Sequence, residues 1–358
     1  MRIKKALFLG TLCTAVSGMS LFAQAGVSYA KSAEKTTEAA SSEEAESEEE
    51  TSEEVTYPIT IEHAFGETVI ESKPERIATI GWENQDTPLA LGVAPVGVST
   101  ANYGMVTDNN LHPWTDEAFA DLGVEKPVVF DDVDGLDFEQ ISDCNPDVIL
   151  AAYSGMTQED YDTLSEIAPV IPYKEKAWNT SWREQTIENA EGMGMKPEGE
   201  KKVKEVEDLI AEKLEEYPQL EGIPTAFCWI SADDFSTFYV YLPTDPRAAY
   251  LLDLGFTLPE SVQKLAGETD DFNITVSREN ADQLDDIQLM VVYGDEDLLK
   301  SLQEDKLMSQ IPAIKNGAVA LVDSTSALAG ASTPSILSIP YEIDEYLQLL
   351  SDVAENIK

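Results

Sequence analysis

Basic residues are scarce in this chain. Against 68 Asp and Glu stand 23 Lys and Arg, a formal charge of -45 over 358 residues. Binding nucleic acid needs clustered Lys and Arg to neutralise phosphates, and docking on anionic lipid needs a basic face; the composition argues against both. Histidine is scarcer still, with only His63 and His112. A site for bare zinc or manganese wants several His and carboxylate ligands converging, so no metal centre and no cofactor is expected, and both histidines read as surface residues. Of three cysteines, Cys13 lies in the leading segment, and Cys144 and Cys228 read as buried free thiols rather than a disulfide. Enzyme signatures are missing too. There is no Gly-x-Ser-x-Gly elbow, no glycine-rich phosphate loop and no His-Asp pairing. Asp131-Asp132-Val133-Asp134-Gly135 lacks the spacing and closing glutamate of a calcium loop and reads as a polar loop. A secreted α/β enzyme is therefore the weaker class, and an adhesive or structural surface protein weaker still.

What is present begins with an export signal over residues 1–30. Arg2, Lys4 and Lys5 precede a mostly apolar run from Ala6 to Val16, and small-x-small sites follow at Ala23-Gln24-Ala25 and Ser28-Tyr29-Ala30. Leu12 before Cys13 makes a poor lipobox. Residues 31–54 hold Ser, Thr, Ala and many Glu with almost nothing to bury, so like-charge repulsion predicts a disordered, extended acidic linker. Export places the protein in the cell envelope or on the outer face of the membrane.

Order is expected from about Tyr57. Tyr57 to Ile61 alternates as a strand, Ala64-Phe65-Gly66 turns, and Thr68 to Ile70 returns. Arg76 to Gly81 reads as a buried strand, and short strands alternating with helices continue to Val170, the pattern of a parallel α/β lobe over 55–180. Residues 181–221 change to long helices, broken at Gly192, Gly194 and Pro197. The second piece, Glu198 to Glu216, puts Val203, Val206, Ile210 and Leu214 on one stripe and spans about 30 Å, enough to run between lobes. Strand-like segments resume at Thr225–Ile230, Leu289–Tyr293 and Ala318–Val322, giving a second α/β lobe over 222–358. The fold class is thus α/β, two Rossmann-like lobes joined by a long backbone helix. A weak internal echo supports it: Phe138-Glu139-Gln140-Ile141 before the strand Val148–Ala151, and Ser277-Arg278-Glu279-Asn280 before Leu289–Val292.

These segments resemble the siderophore-binding proteins of ABC iron importers, in which one backbone helix joins two lobes. The matching stretches include Ala64-Phe65-Gly66, Pro74-Glu75-Arg76-Ile77, Leu91 to Val98, Asn145 to Leu150 and Ile167-Ala168-Pro169-Val170. In the second half they include Asp245-Pro246-Arg247, Leu254-Gly255-Phe256 and Ile311-Pro312-Ala313 with Gly317. Their order and spacing hold over nearly the whole chain beyond the linker.

The resemblance implies a ferric siderophore bound between the lobes, favouring the hydroxamate type, with haem or cobalamin as alternatives of the same fold. It implies ABC permease subunits as partners and a monomeric protein. It gives Glu139 and Glu279 a role: one exposed glutamate on each lobe meets an arginine of the permease. A siderophore arrives with its metal fully ligated, so the protein needs aromatic walls and a few donors. Trp82 matches a cleft-facing family position. Tyr103, Tyr153, Trp178, Trp182 and Tyr239 are further aromatic candidates, and Arg247 at a helix start is the candidate donor. Trp229, inside an apolar strand, is expected to be core.

Overall fold

The computed structural model describes residues 55–132 and 134–358; the expected export signal with Cys13 and the acidic linker lie outside them. A hairpin comes first, with β1 (Ile59–His63) paired antiparallel to β2 (Gly66–Ile70). Its alternation turns Ile61, His63, Thr68 and Ile70 inward. His63, expected at the surface, is buried. Its Nε2 lies 2.9 Å from Thr68 Oγ1, and its Nδ1 accepts from the Phe65 amide at 3.2 Å. The Thr68 hydroxyl donates onward to the Val170 carbonyl at 2.8 Å, fastening the hairpin to the first lobe.

That lobe alternates β3 (Ile77–Thr79), α1 (Asp86–Ala90), β4 (Gly97–Ser99), α2 (Pro113–Asp121), β5 (Val129–Phe130), α3 (Phe138–Asp143), β6 (Val148–Ala151), α4 (Gln158–Ser165) and β7 (Val170–Pro172). The strands stand in the order β5-β4-β3-β6-β7, all parallel. Strands β3, β4, β6 and β7 are buried along their whole length, as a sheet covered on both faces requires. Counted from β3 the order is 3-2-1-4-5, the doubly wound arrangement, whose ligand crevice lies outside the carboxyl ends of the strands.

α5 (Trp182–Gly192) starts at a capping box between Ser181 and Glu184 and packs on β6 and β7. α6 (Lys196–Leu214) then carries the chain across. Pro197, expected to break the helix, sits in its first turn, where the missing N–H has no partner to lose. With 19 residues α6 is about 28 Å long. Val203, Val206 and Ile210 form its buried stripe, in one core with Phe227, Leu254 and Leu347 of the second lobe.

The second lobe runs β8 (Thr225–Trp229), β9 (Thr237–Tyr241), α7 (Pro246–Asp253), α8 (Glu260–Ala266), β10 (Asn273–Ser277), β11 (Leu289–Tyr293), α9 (Glu296–Glu304), α10 (Pro312–Asn316), β12 (Val319–Val322), α11 (Ala327–Ala331) and α12 (Ser338–Ala354). Its order β10-β9-β8-β11-β12 repeats the first sheet's, but β9 runs antiparallel to both neighbours. The link from Trp229 to Thr237 is too short for a parallel crossover, which takes a dozen or more residues. Cys144 and Cys228 are buried free thiols in separate cores.

The lobes touch at a second place besides α6. The stretch between α11 and α12 returns to the first lobe, where Ser335 donates to Asp86 and Leu337 packs on the cluster of Leu89, Val98, Leu111 and Phe119. Asp86 also accepts from Trp114 Nε1 and Thr115 Oγ1, each at 2.9 Å, and is fully buried. Gly104 (φ +75°) lets this seam close, since a Cβ there would come within 2.6 Å of the Gly330 amide nitrogen.

Candidate functional site: an aromatic groove between the lobes

A groove opens where the carboxyl ends of both sheets face each other. Its inner part has a cavity volume of about 210 Å³ and takes lining from both lobes: Trp82, Tyr103 and His112 on one side, Trp229, Tyr241, Arg247 and Tyr293 on the other. An adjoining hollow of about 380 Å³ lies wholly in the first lobe, between the ends of β3, β4 and β6, with Trp178, Asp132 and Asp160 in its walls. Gly81, Trp82, Ser99, Thr100 and Asn102 line both spaces, so they form one groove.

Trp82 is held by its backbone. Its amide donates to the Tyr153 carbonyl at 3.2 Å, and its carbonyl accepts from Gln185 Nε2 at 2.8 Å. The next residues are locked by the buried Asn84, which donates to the carbonyls of Ile80 at 2.7 Å and Tyr153 at 2.9 Å and accepts from Asn189 at 2.9 Å. Trp178 meets Trp82 edge-on at 5.7 Å and Tyr153 edge-on at 5.3 Å. It adopts φ +61°, a strained conformation for a residue with a side chain, and its indole lies so close to Gly155 that a Cβ there would fall 2.6 Å from the ring. Tyr103 packs edge-on against Tyr293 at 5.1 Å, joining the two lobes across the groove.

Arg247 follows Asp245, the N-cap of α7, and Pro246. Its Nε and Nη2 donate to the two oxygens of Asp245 at 2.8 and 2.7 Å, and its guanidinium lies 3.9 Å over the Tyr241 ring. Against the lowering effect of burial, the bidentate bond to Asp245 raises an already high pKa and holds the fork in place, so the group is always charged, with Tyr241 and Tyr293 beside it.

His112, expected at the surface, is buried in the groove wall. Its Nδ1 lies 3.2 Å from the Met105 carbonyl and its Nε2 3.4 Å from Glu83. Both ring nitrogens are thus engaged, which leaves no axial ligand for a haem on this side chain. Glu83 adopts φ +55°, is 5 % exposed, and has one oxygen, Oε2, that meets no donor. Burial pushes its carboxyl up. Among the described residues no three His, Cys, Asp or Glu side chains converge as metal ligands.

Of the expected ligand residues, Trp82, Tyr103, Trp178 and Arg247 line the groove. Tyr153 is buried behind it and props Trp178. Trp182 is a correction. It is 2 % exposed in the core that α6 shares with the second lobe, its Nε1 donating to Asp253 at 3.0 Å, and it is not part of the groove lining. Tyr239 is exposed and stacks on Trp229 at 5.5 Å. Trp229, expected to be core, is 41 % exposed and lines the groove. It is the last residue of β8, so its side chain stands at the sheet's carboxyl edge, outside the packed interior. The same end-of-strand logic would have found Tyr293, the last residue of β11. Glu139 is exposed in the first turn of α3, and Glu279 is exposed in a short 3-10 helix, Arg278–Gln283.

Residues 77–325 match the model of a family described as periplasmic binding protein. The chain belongs to that family. Its members bind and carry a solute rather than transform one. Among solved structures, PiaA of Streptococcus pneumoniae TIGR4 in complex with ferrichrome is 47 % identical, with a TM-score of 0.80 over 84 % of this chain and 100 % of that one. Two Bacillus subtilis (strain 168) relatives are more distant. The petrobactin-binding protein YclQ is 24 % identical over 81 % of this chain and 88 % of its own length. The probable siderophore-binding lipoprotein YfiY is 25 % identical over 65 % and 67 %. A lipoprotein relative is in keeping with the cell-envelope placement expected for this binding protein. Among its described residues no helix is long and apolar enough to cross a membrane.

Proposed function

We propose that this binding protein captures a preformed ferric siderophore of the hydroxamate type in the groove and delivers it, as a monomer, to the permease of an ABC importer. The groove carries this reading. Its two connected spaces, about 210 and 380 Å³, together fall within the range of small-molecule sites, roughly 300–1,000 Å³. Its walls are indole and phenol rings, suited to the apolar flanks of a chelate whose iron is already wrapped. Arg247, preset by Asp245, offers forked donors to the oxygens of the complex. The 47 % identity to a protein solved with ferrichrome supports the hydroxamate type.

Trp82, Tyr103, Trp178, Trp229 and Arg247 make direct contact in this account, and Tyr239 extends the aromatic wall outward. Tyr153 acts through Trp178. Glu139 and Glu279, one exposed carboxylate per lobe, orient the loaded protein on basic residues of the permease; exposed pairs of this kind steer encounter more than they add affinity. Titration with ferrichrome and with an iron-loaded catecholate, read by tryptophan fluorescence, tests the assignment. Ferrichrome should quench strongly, because Trp82, Trp178 and Trp229 all face the groove. No response to any ferric hydroxamate would sink the reading. Glu139→Ala combined with Glu279→Ala should keep binding and abolish uptake in cells; normal uptake would remove the docking role.

A further inference from the structure

The charges around the groove do not balance. In the inner part the one fixed cation, Arg247, is neutralised by its own bidentate Asp245, and His112 faces Glu83. The Oε2 of Glu83 remains without a donor although the residue is 5 % exposed. In the adjoining hollow no Lys, Arg or His lines the wall, whereas Asp132 and Asp160 both do. Asp132 is pushed up by burial, with a smaller push from Asp131, against the hydrogen bonds it takes from Ser99 and from the backbone at Asp132 and Thr100. Asp160 accepts from the Thr157 amide at 2.9 Å and the Thr157 hydroxyl at 2.7 Å through a single oxygen, Oδ2, leaving Oδ1 without a protein donor.

The indoles of Trp82 and Trp178 line the same hollow as these carboxylates. Trp178 holds its place at the cost of a left-handed backbone, with glycine required beneath the ring. Carboxylates and electron-rich indoles brought to one hollow are the two elements that recognise an organic ammonium. A polyanionic chelate entering the hollow would meet Asp132 and Asp160 with no Lys or Arg in its lining to offset them.

Building on the hydroxamate reading, we infer that the first-lobe hollow is a subsite for a primary ammonium arm of the chelate, held between Asp132, Asp160 and the indoles of Trp82 and Trp178. The groove therefore selects by charge, accepting neutral and cationic ferric hydroxamates and favouring the cationic ones.

The test compares two complexes with the same iron-binding chain: ferrioxamine B, which ends in a free primary amine, and its N-acetylated, neutral form. Affinities are measured by fluorescence titration on the full chain at low and at physiological salt. The ammonium form should bind at least tenfold more tightly, with the ratio shrinking as salt rises. In Asp132→Asn combined with Asp160→Asn the ratio should fall to within about twofold, and each single variant should fall in between. The single variants also serve if the pair lowers the melting temperature. Equal affinity of the natural protein for the two forms would overturn the subsite, as would a preference that survives in the double variant. If ferrichrome binds while neither ferrioxamine form does, the subsite falls and the hydroxamate reading stands. If no hydroxamate binds at all, both fall.

Discussion

Raising the pH from 5 to 8.5 should destabilise this protein, and the seam between its lobes says by how much. Asp86 is fully buried, and burial, reinforced by the nearby Glu83, pushes its carboxyl up from 3.8 to about 7, against the opposing pull of Ser335, Thr115 and His112. The folded state therefore keeps a proton to higher pH than the unfolded chain, which releases it near pH 4. Between those values the unfolded state binds fewer protons, so stability is fully present below about pH 4 and is lost as pH climbs to about 7. Each pH unit in that window is worth about 1.4 kcal/mol, so the two units above pH 5 amount to about 3 kcal/mol for Asp86 alone. Glu342, raised to about 7, and Glu188, raised to about 8, act in the same direction, both through burial. At roughly 2–4 °C per kcal/mol, Asp86 alone should lower the thermal midpoint by about 6–12 °C across this range, and Glu342 and Glu188 add to the fall. The assay is a thermal melt followed by circular dichroism at half-unit pH steps and constant ionic strength. Asp86→Asn removes one titration from the total, so its midpoint should be lower at pH 5 and its slope with pH flatter. A natural protein whose midpoint rises from pH 5 to 8.5, or an Asn variant that keeps the full slope, would refute the reasoning.

Gly155→Ala should weaken ferrichrome binding at least tenfold with a small change in melting temperature, because the added methyl displaces the Trp178 indole; an unchanged titration would remove Trp178 from the site. Trp182→Phe should lower stability by about 1–2 kcal/mol through loss of the bond to Asp253 in a tight core, and leave ferrichrome affinity as it was. A weakened titration there would restore Trp182 as a ligand contact. In the folded protein Cys144 and Cys228 should resist a thiol reagent such as dithionitrobenzoate and react promptly in denaturant, since burial raises both thiols. Fast labelling of either without denaturant would contradict its placement.

The two lobes and the rod between them could be read from the sequence because their signals are local. Strands such as Val148–Ala151 are buried on both faces and therefore uniformly apolar, and the stripe of Val203, Val206 and Ile210 repeats at helical spacing. The groove was only half legible. Trp82 and Arg247 follow punctuated strand and helix starts, so their positions could be inferred, whereas Trp182 lies in the core and Trp229 lines the groove, the reverse of the expected places. Both sit beside apolar residues, and what separates them is whether the strand has just ended or the helix has just begun against a neighbouring core. His63 and His112 read as surface residues because nothing local marks their partners: Thr68 lies across a hairpin, and Glu83 across a lobe. The antiparallel β9 was missed because its direction is set by the length of the loop before it, not by its composition.

Ser335 stands 249 residues beyond Asp86 in the chain. The seam contact it makes is thus among the last to become available as the polypeptide emerges, and it must find a partner laid down near the start. A chain truncated before α11 would lose that seam and depend on Tyr103 against Tyr293 and on Lys176 beside Asp270 and Asp271 to hold its lobes face to face.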